Sequence, residues 1–328
     1  MNRRTLLATL GSAGLGLWAM KVPAIGADAS EKDLLTTALG KFSEKSRTRL
    51  LRVVTAAGFD GRIPAAEVAA ARETEGQDED VVMLGLLPLA RIYSHSPISK
   101  YQVGAAVRGF SGDLYLGTNI EFPGHSLGFS LHGEQSALSN AYMHMEQGIS
   151  AIVVTAAPCG HCRQFLNELS PDIQVLVDGK PAAKLSTLLP SAFGPKDLGV
   201  TESAFPAKEA NLGLRNGASD QLTRAALDAA RKSYAPYTKA HSGVAVGTRS
   251  GRIFRGAYIE NAAYNPSLPP LQAALSALIL AGGSFSDISK VLLVETEGAP
   301  ISQRSVAEPI LSVIATRVKL ETLVAQLS

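Results

Sequence analysis

Apolar positions across residues 30–92 recur three and four apart, as at Leu34, Leu35, Leu39 and Phe42, and again at Val81, Val82, Leu86 and Leu89. That spacing predicts helices with one buried face. Polar breaks at 58–64 and 73–80 separate them. From Val103 the pattern changes. Residues 103–107 and 114–116 flank a Gly-Phe-Ser-Gly-Asp turn and read as a β-hairpin. A helix over 131–147, a strand over 151–155, a helix beginning near Cys159 and a strand over 173–177 follow. Mixed strands alternating with helices indicate an α/β layered fold.

The pattern then repeats. Ser96-Pro97-Ile98-Ser99-Lys100 has a counterpart in Ala235-Pro236-Tyr237-Thr238-Lys239, and LYLGTNIE at 114–121 has one in IFRGAYIE at 253–260. Gln135-Ser136-Ala137-Leu138 likewise parallels Gln272-Ala273-Ala274-Leu275. Two copies of one domain therefore follow each other, joined through the stretch around Ala192-Phe193-Gly194-Pro195-Lys196.

Residues 1–29 stand apart. Arg3 and Arg4 precede an apolar stretch over 6–20, and Ala27-Asp28-Ala29 is a small-x-small cleavage pattern. The paired arginines before Thr5-Leu6-Leu7 resemble a twin-arginine signal, which makes the periplasm the expected location. An uncleaved helical extension of a cytoplasmic protein is the alternative. The stretch is too short and too rich in glycine to read as a membrane span.

Composition narrows the ligand. A hydrophobic fraction of 46% with 18% charged residues suits a folded chain. The first 29 residues hold three of the 31 basic and one of the 29 acidic residues, which leaves 28 of each. With no run of Lys and Arg after residue 30, nothing is arranged to neutralise phosphates, so the expected substrate is a small molecule. The two cysteines, Cys159 and Cys162, form one CxxC, which points to a metal or redox pair and not to a disulfide scaffold.

Three groups carry candidate chemistry: His132-Gly133-Glu134, Pro158-Cys159-Gly160-His161-Cys162, and Asn119-Ile120-Glu121. A zinc ion that activates water takes three protein ligands and keeps a fourth position open, a count that one imidazole and two thiolates meet. Cys159 and Cys162, three apart at a helix start, can face one ion. The positive helix end there favours their thiolate form. Glu134, two residues from His132, is close enough to move a proton without ligating. The order H-x-E then P-C-x-x-C is the known pattern of zinc nucleobase deaminases, matched here and not deduced. Other readings remain. Cys-Gly-His-Cys also suits thiol–disulfide exchange, though Ala157-Pro158 precede it where an aromatic is usual and His132 and Glu134 would then go unexplained. A structural zinc would want a fourth protein ligand, which His161 would supply only awkwardly from inside the loop.

These motifs resemble the cytidine deaminase family, specifically its larger two-domain, dimeric branch. The resemblance runs from Asp78 to the C-terminus and takes in the preceding helical region more loosely. It is densest over 96–169, in YQVGAAVRG, TNIEF, HGEQSAL and PCGHCRQFLNEL, and it continues in FGPKDL at 193–198 and NPSLPPLQ at 265–272. It implies a three-layer fold, a mixed sheet between helices, duplicated and preceded by a helical region. It divides the chain into the signal at 1–29, a helical region at 30–77, a catalytic domain at 78–190, a linker at 191–215 and a degenerate domain at 216–328.

The resemblance further implies one zinc per chain held by His132, Cys159 and Cys162, with Glu134 as proton shuttle. Hydroxide would attack C4 of the pyrimidine while Glu134 protonates N3 and later the departing amine. Asn119 and Glu121 would hold a sugar hydroxyl, Tyr101 would pack on the pyrimidine, and the Gly133 N–H and Ala157 carbonyl would read the base edge. Cytidine and 2'-deoxycytidine would become the uridines with release of ammonia, in pyrimidine salvage, on a homodimer that binds neither nucleic acid nor membrane. Deamination of another aminated heterocycle, or of bases within nucleic acid, is the alternative inside the superfamily. Gly133 replaces a more usual Ala at a cost of about 1 kcal/mol at most, and Tyr101 replaces a more usual Phe; neither removes a required group. In the second copy Pro269 falls opposite His132 and Leu271 opposite Glu134, and no cysteine follows Cys162. That copy is expected to be a scaffold covering an active site of its own or a partner subunit.

Overall fold

The computed structural model describes residues 31–327, apart from 170, 171, 203, 216 and 219. The export reading of residues 1–29 lies outside the described residues. Five short helices come first: α1 (Glu31–Ala38), α2 (Glu44–Val54), α3 (Ala65–Glu75), α4 (Glu79–Gly85) and α5 (Leu87–Ile92). The first copy then supplies β2 (Gly104–Gly109), β3 (Leu114–Thr118), α6 (Gly133–Met143), β4 (Ile149–Val154), α7 (Gly160–Leu169), β5 (Gln174–Val177), β6 (Ala183–Lys184) and α8 (Leu185–Leu188). A two-residue strand, β1 (Arg62–Ile63), lies between α2 and α3 and completes a sheet of order β1-β3-β2-β4-β5-β6. The second copy supplies β7 (Leu212–Leu214), α9 (Gln221–Arg231), β8 (Ser242–Thr248), β9 (Ile253–Ala257), α10 (Pro270–Leu280), β10 (Ile288–Thr296), α11 (Arg304–Ile314) and β11 (Leu320–Leu327). Its sheet runs β7-β11-β10-β8-β9. In each sheet one neighbouring pair is parallel, β4 with β5 and β10 with β11. The other pairs are antiparallel. This is a mixed α/β fold, as the alternation of elements predicts.

Side-chain alternation along the strands builds the layers. In the first sheet Ala105, Val107, Tyr115, Ile152 and Val154 face a core shared with the second copy. Their neighbours Ala106, Leu114, Leu116, Ala151 and Val153 face the helices before residue 93. In the second sheet Val244, Val246, Val291 and Leu293 join the shared core, while Ala245, Leu292 and Val294 face α9. The shared core is filled by α6, α7, α10 and α11. Nine of the eleven residues of α6 are buried, as are nine of α10, which explains why neither shows a polar face.

The two copies meet with approximate two-fold symmetry. Gln135 Nε2 donates to the Pro266 carbonyl (3.1 Å), and its counterpart Gln272 Nε2 donates to the Phe129 carbonyl (3.5 Å). Between them the Ser136 and Ser276 hydroxyls share a hydrogen bond of 2.6 Å.

Several boundaries differ from the expected ones. The helix expected over 131–147 spans Gly133–Met143. Leu131 is taken by a bridge to Ile120, and beyond the helix Met145 turns to φ 59° while the buried Glu146 accepts from Tyr115 Oη (3.0 Å). β1 falls inside a stretch that reads as a polar break. It is too short to show a period, and it is fixed by Arg62, which pairs with the buried Asp113 at 2.6 Å. The other oxygen of Asp113 accepts the Ala65 N–H at 2.7 Å, tying the start of α3 to the hairpin. No described helix is long and apolar enough to cross a membrane.

Glycine permits the close approach of helix to strand that the shared core needs. A Cβ on Gly117 would lie 2.2 Å from the Ala137 nitrogen, and one on Gly256 would lie 2.2 Å from the Pro270 carbonyl oxygen. These obstacles are backbone and cannot rotate away. Gly117→Ala and Gly256→Ala should therefore each destabilise the protein by about 3 kcal/mol, the upper end of ordinary overpacking, measured by urea unfolding. Wild-type stability in either variant would show that the helices lie further from the strands.

Candidate active site

Two loop-to-helix junctions at one end of the first sheet form the site. After β3 the chain makes the Ile120–Leu131 bridge, and His132, in extended conformation, becomes the N-cap of α6. After β4 the chain runs through Ala157 and Pro158 to Cys159, whose carbonyl accepts the Arg163 N–H (3.0 Å) at the head of α7. Cys162 follows in the first turn and is fully buried, while Cys159 is exposed. His132 Nδ1 lies 3.5 Å from Cys159 Sγ and 3.3 Å from Cys162 Sγ, and the two sulfurs are 3.6 Å apart.

These separations test the metal. Tetrahedral zinc with Zn–S of about 2.3 Å and Zn–N of about 2.0–2.1 Å places two sulfurs about 3.8 Å apart and sulfur and nitrogen about 3.6 Å apart. The observed donors sit within a few tenths of an ångström of that arrangement. Both cysteines are free, and their sulfurs are far beyond the disulfide length of about 2.05 Å. Among the described residues this His/Cys/Cys group is the one cluster suited to a metal ion, and it is a zinc-binding set. His161 contributes no donor. Its ring stacks on that of His132 with centroids 5.3 Å apart.

Hydrogen bonds from Cys162 and His132 hold the Cys159 thiol down to about 3. Glu134, in the first turn of α6, is 5% exposed, and burial pushes its carboxyl above the ordinary range. Gly133 fits against Val103, where a Cβ would come 2.9 Å from Cγ1; this explains glycine at a position where the resemblance leads one to expect alanine.

Asn119 and Glu121 lie on the same rim, and their side chains hold the loop at 94–103. Asn119 Oδ1 accepts from Ser94 Oγ (2.6 Å) and the Val103 N–H (2.9 Å), and its Nδ2 donates to the Tyr101 carbonyl (2.9 Å). Glu121 Oε2 accepts the Ile98 and Ser99 N–H groups at 2.8 and 2.9 Å, and Oε1 accepts the Ser99 hydroxyl. The second copy repeats this: Glu260 accepts the Tyr237 and Thr238 N–H groups and the Thr238 hydroxyl. Lys100 and Lys239 take the same positive φ, 59° and 57°. Because Glu260 does this where no metal ligands exist, the carboxylate has a folding task independent of chemistry. Tyr101 is 57% exposed, and Ala157 is exposed beside Cys159.

Arg163 is a positioning residue that the motifs alone do not reveal. Its guanidinium donates to the Pro158 carbonyl (2.9 Å) and the Leu188 carbonyl (2.8 Å), clamping the approach to Cys159. One signal was available: a cation in the first turn of a helix opposes the macrodipole and so needs a specific partner.

A mixed α/β fold with three zinc donors beside a buried carboxylate defines a zinc hydrolase site of the deaminase type. Residues 77–177 match the cytidine and deoxycytidylate deaminase zinc-binding region, and residues 185–308 match it again. The cytidine deaminase of Vibrio vulnificus is 44% identical over 273 residues, 83% of this chain and 92% of its own. That of Cronobacter sakazakii is 41% identical over 290 residues, 88% of this chain and 98% of its own. A solved cytidine deaminase from Burkholderia pseudomallei is 28% identical over 34% of this chain and 98% of its own, with a TM-score of 0.32. The chain belongs to the cytidine deaminase family, in its two-domain bacterial form. Its second match covers a copy without metal ligands, since α10 begins at Pro270 with Pro269 in the place of His132.

The charge on Glu121 has a stability consequence. Burial opposes it, but the hydrogen bonds from Ser99 and Ile98 outweigh burial and hold the carboxyl below the ordinary range. A lowered pKa stabilises the fold above the unfolded value and loses that contribution as pH falls through the folded value. Glu121→Gln should cost about 2 kcal/mol at neutral pH through mismatched buried donors. The gap from wild type should narrow below about pH 4, as followed by urea unfolding at several pH values. A gap independent of pH would remove the charge from this account.

Proposed function

We infer that this chain is a zinc-dependent cytidine deaminase, hydrolysing cytidine and 2'-deoxycytidine to the uridines and ammonia. The observation that carries the reading is the His132, Cys159 and Cys162 cluster next to the buried Glu134, in a member of this family. These three residues would hold the zinc, which when bound lowers the pKa of water towards neutrality. Glu134 takes one proton of the water and gives it to N3 of the pyrimidine as oxygen joins C4. It then takes the second proton from that oxygen and gives it to the amine, which leaves as ammonia. Uridine retains the N3–H, so the atoms balance.

The remaining groups bind and orient. The Gly133 N–H and the Ala157 carbonyl face the base edge, and the exposed ring of Tyr101 packs on the pyrimidine. Asn119 and Glu121 hold the sugar; their present bonds to the 94–103 loop supply a rigid rim against which a hydroxyl can be exchanged in. We assign catalysis to residues 78–190 and a scaffolding role to 216–328. The exposed mouth at Tyr101, Ala157 and Cys159 supports a homodimer in which a second subunit covers it. The paired arginines and cleavage pattern support export to the periplasm.

Glu134→Gln should retain one zinc per chain by metal analysis and lose about 10²–10⁴-fold in kcat for cytidine, the range expected for a positioned acid–base group. A variant with near wild-type turnover would remove Glu134 from the proton path. Full zinc occupancy in wild type with no ammonia released from cytidine would overturn the substrate. Light scattering should give twice the chain mass, and cell fractionation should place the processed chain in the periplasm; a monomer, or an unprocessed cytosolic chain, would each remove its own assignment.

A further inference from the structure

The helix that carries Cys162 is gripped by the second copy, and the grip is one-sided. One face of α7, formed by Cys162, Phe165, Leu166 and Leu169, is buried, the last three in the shared core. The Gln164 carbonyl and the Glu168 side chain, one turn apart, face the second copy. The Gln164 carbonyl accepts Asn261 Nδ2 at 2.9 Å. Glu168 is 4% exposed, and among the described residues no cation lies within ion-pair distance of it. Its carboxylate accepts the Ala262 N–H (2.8 Å), Tyr234 Oη (3.1 Å) and Tyr237 Oη (2.5 Å), all from the second copy. A buried carboxylate without a cation is costly unless several donors satisfy it.

The approximate two-fold symmetry provides an internal comparison. The buried positions Ala307, Ile310 and Leu311 of α11 match Cys162, Phe165 and Leu166, which places Val313 opposite Glu168. Val313 is 40% exposed, and beside it the side-chain hydrogen bond from α11 to the first copy is a long one, between Ser312 Oγ and His125 Nε2 at 3.5 Å. The phenols also exist on one side only: the positions of Tyr234 and Tyr237 are filled in the first copy by His95 and Ile98. The buried carboxylate and its phenol donors are therefore a feature of one side. They occur solely where the gripped helix bears zinc ligands.

We propose that Glu168 is a positioning residue through which the degenerate copy, by Tyr234, Tyr237 and Ala262, fixes the register of α7 and so the placement of Cys162 at the metal. The two residues are six apart, about 9 Å along the axis of a rigid helix, so a shift at one end is passed to the other. The proposal rests on the zinc site described above, and it assigns the second copy a task at that site beyond covering it.

The test uses the zinc-loaded full chain and reads zinc release to a chromophoric chelator together with kcat, KM and thermal midpoint. Glu168→Gln, and independently Tyr234→Phe with Tyr237→Phe, should release zinc at least about tenfold faster, within the span known for outer partners of metal ligands, with kcat lowered and KM within twofold. Val246→Ala, in the second sheet and not a partner of Glu168, should lower the midpoint and leave release within twofold of wild type. If Glu168→Gln does not fold, the tyrosine pair decides. Release and kcat within twofold of wild type in the folded variants would overturn the proposal, as would equally fast release from Val246→Ala. A wild-type chain that holds no zinc would remove the site reading itself and this one with it.

Discussion

His132 follows the short Ile120–Leu131 bridge and caps α6, while Cys159 precedes α7 and Cys162 sits in its first turn. The three donors come from segments far apart in sequence. They meet because β3 and β4, flanking β2, deliver both helix N-termini to one end of the same sheet. Everything that chemistry requires here depends on that convergence. It is fixed by backbone ladders and by a helix pressed onto glycine, and a side chain alone could not impose it. The same placement gives Glu134 its burial and leaves Cys159 and Ala157 at the mouth.

Duplication explains much of what surrounds the site. The second copy has kept the scaffold features: the loop-holding Glu260, the positive φ at Lys239, the close-packed Gly256 and the Gln272 that crosses to the first copy. It has lost the donors. One trace of the loss is visible. Gln135 Oε1 accepts the His132 N–H at 3.4 Å, but Pro269 has no N–H, and Gln272 Oε1 is left buried without a partner. Such an orphan costs about 1–3 kcal/mol. The other end of Gln272 donates to the Phe129 carbonyl of the first copy.

The shared core also makes the two copies one energetic unit. Residues of both sheets and of five helices contribute to a single apolar cluster. Neither copy would retain a covered inner face if the other were removed. Hydrogen bonds at Gln135, Ser136, Glu168 and Asn261 add to the contact between the copies.

Sequence alone determined what is local or repeated. Periodicity yielded the hairpin and the helices, because those signals span several residues of alternating or helical spacing. The repeat showed the duplication. Residue types and order singled out His132, Glu134, Cys159 and Cys162, because one imidazole, two thiolates and a nearby carboxylate in that order match a known pattern of zinc sites that activate water. Tertiary structure decided what has no local signature. β1 is two residues long and depends on Asp113, fifty-one residues from Arg62. The bonds of Asn119 and Glu121 to the 94–103 loop, the clamp of Arg163 on Pro158, and the grip of Tyr234 and Tyr237 on Glu168 all join residues whose spacing carries no period. Each arises because a buried polar group must find its partner wherever the folded chain brings one, and that meeting is set by packing, not by position along the chain.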